Sequence, residues 1–307
     1  MLDVHHLTKH FGELRALDSV DLQVQRGRML GFLGPNGAGK TTTMRAIMGL
    51  IALDSGELHW DGAAVDAGVR RRFGYMPAER GMYPKMSVRD QLVYFARLAG
   101  VGSAGARASA DQWMTRLGID ARAGDAVQSL SSGNQQRVQL AISLVHDPEL
   151  LILDEPFSGL DPVAVETMSD VIEEQLRNGV AVLFSSHQLD LVSSICNEVA
   201  IIDRGHIVLQ GDVAQLRQRS SDRYVTIGFA SGEEWRPTTT EVGADVTVLA
   251  SEPRRVRLRV HANTDPAMLL AKAGAHATVT EFSFTPPDLS EVFRLATSAS
   301  QVPGDES

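Results

Sequence analysis

The chain has 307 residues, enough for a full-sized core and a second small domain. Hydrophobic residues make up 43% and charged residues 22%, which excludes a disordered or fibrous chain and fits a globular one. Its 29 basic and 38 acidic residues give a net charge of −9, and neither residues 1–213 nor the remainder is basic, so no nucleic-acid partner is expected.

Asp3, His5 and His6 stand where a secretory signal would place an apolar run, so none is expected. Val20, Leu22 and Val24 alternate with polar residues, as in a half-buried strand. Met29–Leu33 is a short apolar run ending at a glycine-rich loop, and 40–50 reads as a helix. Residues 57–60 followed by Asp61-Gly62 read as a strand entering a turn. Residues 87–100 form an amphipathic helix capped by Ser87, with Asp90 three residues on and Val88, Leu92, Phe95 and Ala99 on one face. A second helix ends near Gly118, so about 86–146 is a helical insertion. Residues 150–153 and 180–184 are buried strands, and between them Asp161-Pro162 opens a helix that Gly179 ends. These apolar runs are far shorter than the ~18 residues that span a bilayer. Cys196, the one cysteine, sits among apolar neighbours and reads as a small buried hydrophobe.

After Gly211 the texture changes. Residues 214–222 are polar and linker-like. Strands are expected at 224–229, 246–249, 255–260 and 278–284, and helices at 266–273 and 289–296, giving a small α+β domain over 223–298. Residues 299–307 read as a disordered tail.

The chemistry concentrates in three segments. Gly34-Pro35-Asn36-Gly37-Ala38-Gly39-Lys40-Thr41, followed by Thr42, matches Gly-x-x-x-x-Gly-Lys-Thr. Its three glycines let backbone N–H groups turn inward around phosphates, and the helix from Lys40 points its positive end at them. Lys40 can reach the β- and γ-phosphates and the Thr41 hydroxyl can ligate Mg²⁺, so ATP and Mg²⁺ are the expected cofactors. Leu150-Leu151-Ile152-Leu153-Asp154-Glu155 is a buried strand ending in two acids: Asp154 suits Mg²⁺, and Glu155 suits a general base on the attacking water. Leu130-Ser131-Ser132-Gly133-Asn134-Gln135-Gln136-Arg137 opens another helix, with Ser131 as its cap.

Ser-x-Gly-x-x-Gln-Arg lying between the two nucleotide motifs resembles the ATP-binding subunits of ATP-binding cassette (ABC) transporters, over residues 1 to about 213. The resemblance implies an α/β phosphate-loop ATPase with a mixed-sheet core, an antiparallel β subdomain and a helical subdomain. It implies that Phe11 stacks on adenine, that Ser158-Gly159-Leu160-Asp161 forms the D-loop, and that His187 senses the γ-phosphate. Two cassettes would meet head-to-tail, with Ser131 and Gly133 of one contacting the γ-phosphate held by Lys40 of the other and Asp161 coupling the sites. The implied partners are a second copy or a paired cassette, and a separate transmembrane permease. The implied location is cytoplasmic, on the inner face of the membrane. A soluble cassette ATPase of translation or repair is the alternative. Translation members usually carry two cassettes and basic linkers, and repair members long coiled coils; neither is visible. A small-molecule kinase would leave Ser131–Arg137 and His187 unexplained.

Two positions depart from the family pattern. Ser132 replaces the first of two signature glycines, and Ala78 stands where the Q-loop glutamine is usual, with Glu79 adjacent as a candidate metal ligand. The stretch from Tyr75 to Met86 resembles an efflux-type branch, and Pro287-Asp288-Leu289-Ser290-Glu291-Val292-Phe293 is similar to the end of that branch's accessory domain, so export is the expected direction. Arg255, Arg257 and Arg259 share one strand face, either as a solvated edge that discourages aggregation or as a contact for an acidic partner or lipid headgroups.

Overall fold

Leu2, Val4 and Leu7 are buried on one face of β1 (Leu2–Phe11), which pairs antiparallel with β2 (Leu14–Val24). The computed structural model describes residues 1–79, 81–232, 234–238 and 246–299. It divides into two units, Met1–Gly211 and Asp212–Ser298. A register shift between Val4 and Leu7, with His6 at φ 51°, breaks the two-residue alternation that would have marked β1 in the sequence.

In the first unit β3 (Met29–Leu33) leads through the glycine loop into α1 (Lys40–Ile47), shorter than the expected 40–50. Next come β4 (Ser55–Trp60), β5 (Ala63–Ala64), α2 (Ala67–Arg70) and β6 (Phe73–Met76). The helical insertion holds α3 (Val88–Leu98), α4 (Ser103–Arg116) and α5 (Ser132–Leu144). Ser87 accepts a hydrogen bond from the Asp90 N–H at 3.2 Å, so α3 starts where its cap residue places it. The α/β pattern resumes with β7 (Leu150–Asp154), α6 (Pro162–Arg177), β8 (Ala181–Ser185), α7 (Leu189–Ile195), β9 (Glu198–Asp203) and β10 (His206–Asp212).

Two sheets result. One is antiparallel, in the order β2-β1-β4-β5; the other has six strands in the order β10-β9-β3-β8-β7-β6. β3, β6, β7, β8 and β9 run parallel. Every residue of β3, β7 and β8 is buried, as in a parallel sheet covered on both faces. Leu7, Val20, Phe32, Ile47 and Ile152 belong to one apolar cluster that joins both sheets to α1. Each such fully buried side chain contributes about 1.5–3 kcal/mol, which fixes the sheet rigidly behind its loops. Cys196 is buried and burial pushes its thiol pKa up, so it packs as an apolar residue.

In the second unit, residues expected to be a linker are helical: α8 (Val213–Arg219) is capped by Asp212, whose carboxylate accepts from the Gln215 N–H at 3.0 Å. The polar composition of 214–222 concealed this short helix of about two turns. β11 (Asp222–Phe229), β12 (Thr247–Glu252), β13 (Arg255–His261), α9 (Pro266–His276), β14 (Val279–Thr285) and α10 (Leu289–Ala299) follow. The four strands form an antiparallel sheet in the order β12-β13-β11-β14. Leu269 and Ala273 of α9 pack on Val225, Ile227, Val256 and Leu258. The arginine row is on an inner strand, which corrects the edge-strand reading. Its members meet carboxylates on the same unit: Arg255 with Glu281 at 3.4 Å, Arg257 with Asp288 and Glu291 at 3.9 Å, and Arg259 with Asp222 at 3.9 Å. The expected tail beyond residue 299 lies outside the described residues. Among the described residues no helix is long and apolar enough to cross a membrane.

Candidate active site

The strand order β3-β8-β7 brings three chain segments to one edge of the sheet. The glycine loop follows β3, Asp154 ends β7, and Ser185 ends β8 directly opposite Asp154 in the register. The C-terminal edge of a parallel sheet is where such folds bind ligands.

The loop has its glycines for steric reasons. A Cβ on Gly34 would collide with the Ile202 carbonyl oxygen. Gly39 has φ +115° and a Cβ there would lie 2.9 Å from the Ala16 carbonyl oxygen. No side chain caps the N-terminus of α1, so its N–H groups face outward for an anion. Lys40 is 7% exposed, and its Nζ donates to the carbonyls of Gly34 at 2.6 Å and Pro35 at 3.1 Å. Burial lowers its pKa, while the nearby Glu155 and Asp154 carboxylates oppose that shift. A phosphate in the loop would add to the counter-charge that these two carboxylates offer the buried ammonium.

Asp154 is 1% exposed and accepts two hydrogen bonds: from Thr41 Oγ1 to Oδ2 at 2.8 Å and from Ser185 Oγ to Oδ1 at 2.6 Å. Ser185 Oγ in turn accepts from the Glu155 N–H at 2.9 Å. Glu155 has φ 53°, a left-handed conformation rare for this residue type, and the Ser185 hydroxyl holds it there. His187 Nδ1 lies 2.8 Å from Glu155 Oε2. Glu155 therefore faces the same space as the loop. A cavity of about 600 Å³ is lined by Gly34, Asn36, Ala78, Gln139, Glu155 and His187. A second, of about 290 Å³, shares Asn36, Ala78 and Glu155 and adds Lys40, Thr41 and Asp154. The Thr41 hydroxyl and the Asp154 carboxylate, already within hydrogen-bond distance, are hard oxygen donors of the kind Mg²⁺ takes, so the residues fit that ion.

The ABC transporter family model matches residues 17–158. The ABC transporter ATP-binding protein YhaQ of Bacillus subtilis is 44% identical over 227 residues, which are 74% of this chain and 76% of that protein. The chain belongs to the ATP-binding subunits of ABC transporters. Its activity is ATP hydrolysis. The Nod factor export ATP-binding protein I of Ralstonia nicotianae is 33% identical, covering 70% of this chain and 68% of that protein. A solved structure of an ABC transporter ATP-binding subunit superposes with a TM-score of 0.67 at 28% identity, over 71% of this chain and 92% of that one.

The cassette does not bring every expected residue to the phosphate loop. Ser131 is exposed at the start of α5, where its hydroxyl accepts from the Asn134 N–H at 3.4 Å, and neither Ser131 nor Gly133 lines the two cavities. Asp161 caps α6, accepting from the Ala164 N–H at 2.8 Å. Phe11 ends β1 half exposed, with Lys9 Nζ 5.4 Å from its ring centre. Glu79 is exposed and lines neither cavity; Ala78 lines both. Ser185 and Gln139 are site residues that the sequence reading missed. For Ser185 the available signal was the polar residue ending an apolar strand next to the acidic one; for Gln139 it was an amide among apolar residues of α5.

Proposed function

We propose that this ABC subunit hydrolyses Mg²⁺-bound ATP at a site that a second cassette completes, and that it powers export through a separate transmembrane permease. The observation that carries the reading is the convergence of Lys40, Thr41, Asp154, Glu155 and His187 at one sheet edge. The N–H groups of residues 34–42 and the Lys40 ammonium bind the triphosphate, with Lys40 exchanging its carbonyl partners for the β- and γ-phosphates. Thr41 and Asp154 would hold Mg²⁺, whose charge offsets that on the phosphate oxygens. Glu155 takes the proton of the attacking water at its carboxylate. His187 holds that carboxylate through Nδ1 and responds when the γ-phosphate leaves. Phe11, exposed at the end of its strand, offers a ring face to adenine.

Ser131 and Gly133 form a helix start that lines neither cavity of its own chain. That arrangement supports their use by a second copy or a paired cassette, with Asp161 at the junction. Likeness to a Nod factor export subunit supports export, and the lack of a spanning helix among the described residues supports a separate permease. Such a subunit would work at the inner face of the membrane.

Replacing Glu155 by Gln tests the chemistry. Turnover should fall at least about a hundredfold, the usual contribution of a general base, with ATP binding retained. Full turnover would remove Glu155 from that role. Purifying the protein from its native membranes should recover a polytopic membrane protein; recovery of a ribosome or a repair complex would contradict the transport reading.

A further inference from the structure

Ala78 lies where the two cavities meet and offers them only a methyl group. A polar side chain reaches the larger cavity there from a different element. Gln139 sits on α5 about two turns beyond Ser131, and is 5% exposed. Its neighbours Val138, Leu140 and Ala141 are fully buried. An amide at such a depth is costly unless its polar atoms are bonded. The Nε2 donates to the Pro77 carbonyl at 2.6 Å and to the Glu79 carbonyl at 3.4 Å, the two residues that flank Ala78. The Oε1 accepts from no protein donor among the described residues, and Gln139 lines the larger cavity.

We propose that Gln139 is a positioning residue for ATP hydrolysis, its amide nitrogen fixing the loop around Ala78 and its amide oxygen accepting a hydrogen bond from a water of the Mg²⁺–ATP site. This proposal rests on the site reading given above. The acceptor is neutral, so it adds no charge beside the triphosphate, whereas the exposed Glu79 carboxylate lines neither cavity. Gln136, one turn earlier on the same helix, also lines the larger cavity and serves as the comparison residue.

The test uses the full chain with Mn²⁺ as the metal probe. Mn²⁺ affinity is measured by electron paramagnetic resonance at saturating ATP in the Glu155→Gln background, where no turnover interferes, and steady-state turnover is measured in the otherwise native chain. Gln139→Ala should weaken Mn²⁺ binding about tenfold, the loss typical of an outer partner of a metal site, and lower kcat with little change in KM for ATP. Gln139→Met, which keeps the side-chain volume, should show the same loss and covers the case in which the alanine variant folds poorly. Adding Ala78→Gln to either variant should restore most of the Mn²⁺ affinity, because it returns an acceptor to the seam. A glutamine at 78 cannot replace the bond to the Pro77 carbonyl, so a residue that merely pins the loop would not be rescued. Unchanged Mn²⁺ affinity in both Gln139 variants, a loss that Ala78→Gln does not restore, or a loss in Gln136→Ala with none in Gln139→Ala would each overturn the proposal. If Glu155→Gln alone still turned over ATP at the native rate, the site reading would fail instead, whatever Gln139 does.

Discussion

Replacing Ser185 by Ala removes one oxygen from the end of β8 and leaves the glycine loop untouched. That oxygen donates to Asp154 at 2.6 Å and accepts from the Glu155 N–H at 2.9 Å, and Ser185 is fully buried. A hydrogen bond to a charged group is worth about 1.5–3 kcal/mol, and a buried N–H left without a partner costs about 1–3 kcal/mol. The two losses share one atom, so they do not add fully, and about 2–4 kcal/mol of stability should disappear. The catalytic consequence is separate. Without the serine, the left-handed backbone at Glu155 loses the bond that holds it, and the carboxylate is free to swing away from the γ-phosphate. A misplacement of ~1 Å costs about a hundredfold. The kcat should therefore fall between about tenfold and a hundredfold, while KM for ATP stays within about threefold because Lys40 and the loop N–H groups still bind phosphate. Steady-state ATPase kinetics together with urea unfolding separate the two effects. An unchanged kcat in the Ser185→Ala protein would refute the claim that this hydroxyl positions the acids.

Two other outcomes are expected. Gly34→Ala should lose ATP binding by more than about tenfold in calorimetry, since the added Cβ meets the backbone of Ile202 and the loop must move; undiminished affinity would show that the loop has slack. Asp61 is held at a pKa of about 2, below the ordinary carboxylate value, chiefly by hydrogen bonds from Arg26. A lowered carboxylate pKa stabilises the fold above the unfolded value and the gain is lost as pH falls through the folded one. Asp61→Asn should therefore cost under about 1 kcal/mol at pH 7, because the pair is exposed. Its deficit against the native chain should shrink between about pH 4 and pH 2; a deficit constant over that range would contradict the assignment.

The phosphate loop, the two acids at the end of β7 and the capped start of α5 were legible because each is a continuous segment whose chemistry needs no knowledge of its neighbours. The strand order at the site was not, since nothing in the sequence places β8 between β3 and β7. For the same reason Ser185 and Gln139 escaped notice: one is set opposite Asp154 by strand register, and the other reaches the 77–79 loop from 62 positions away in sequence. β1 was hidden by the irregular step between Val4 and Leu7, and α8 by its polar composition. The arginines of β13 were placed on one face correctly, but an inner strand cannot be told from an edge strand by alternation alone. Ion pairs with Glu281, Asp288, Glu291 and Asp222, instead of an edge position, explain how that face is tolerated.

In the proposed dimer, Gly34–Thr41 is half of a site whose other half is the Ser131–Gly133 segment of another cassette. The most direct measurement is the molar mass of the Glu155→Gln protein by light scattering, with and without ATP and Mg²⁺. A monomer without nucleotide and a dimer with it are expected, and a Ser131→Arg change should abolish that shift while leaving ATP binding to the monomer intact. A monomer that binds ATP and stays monomeric at every concentration tested would contradict it.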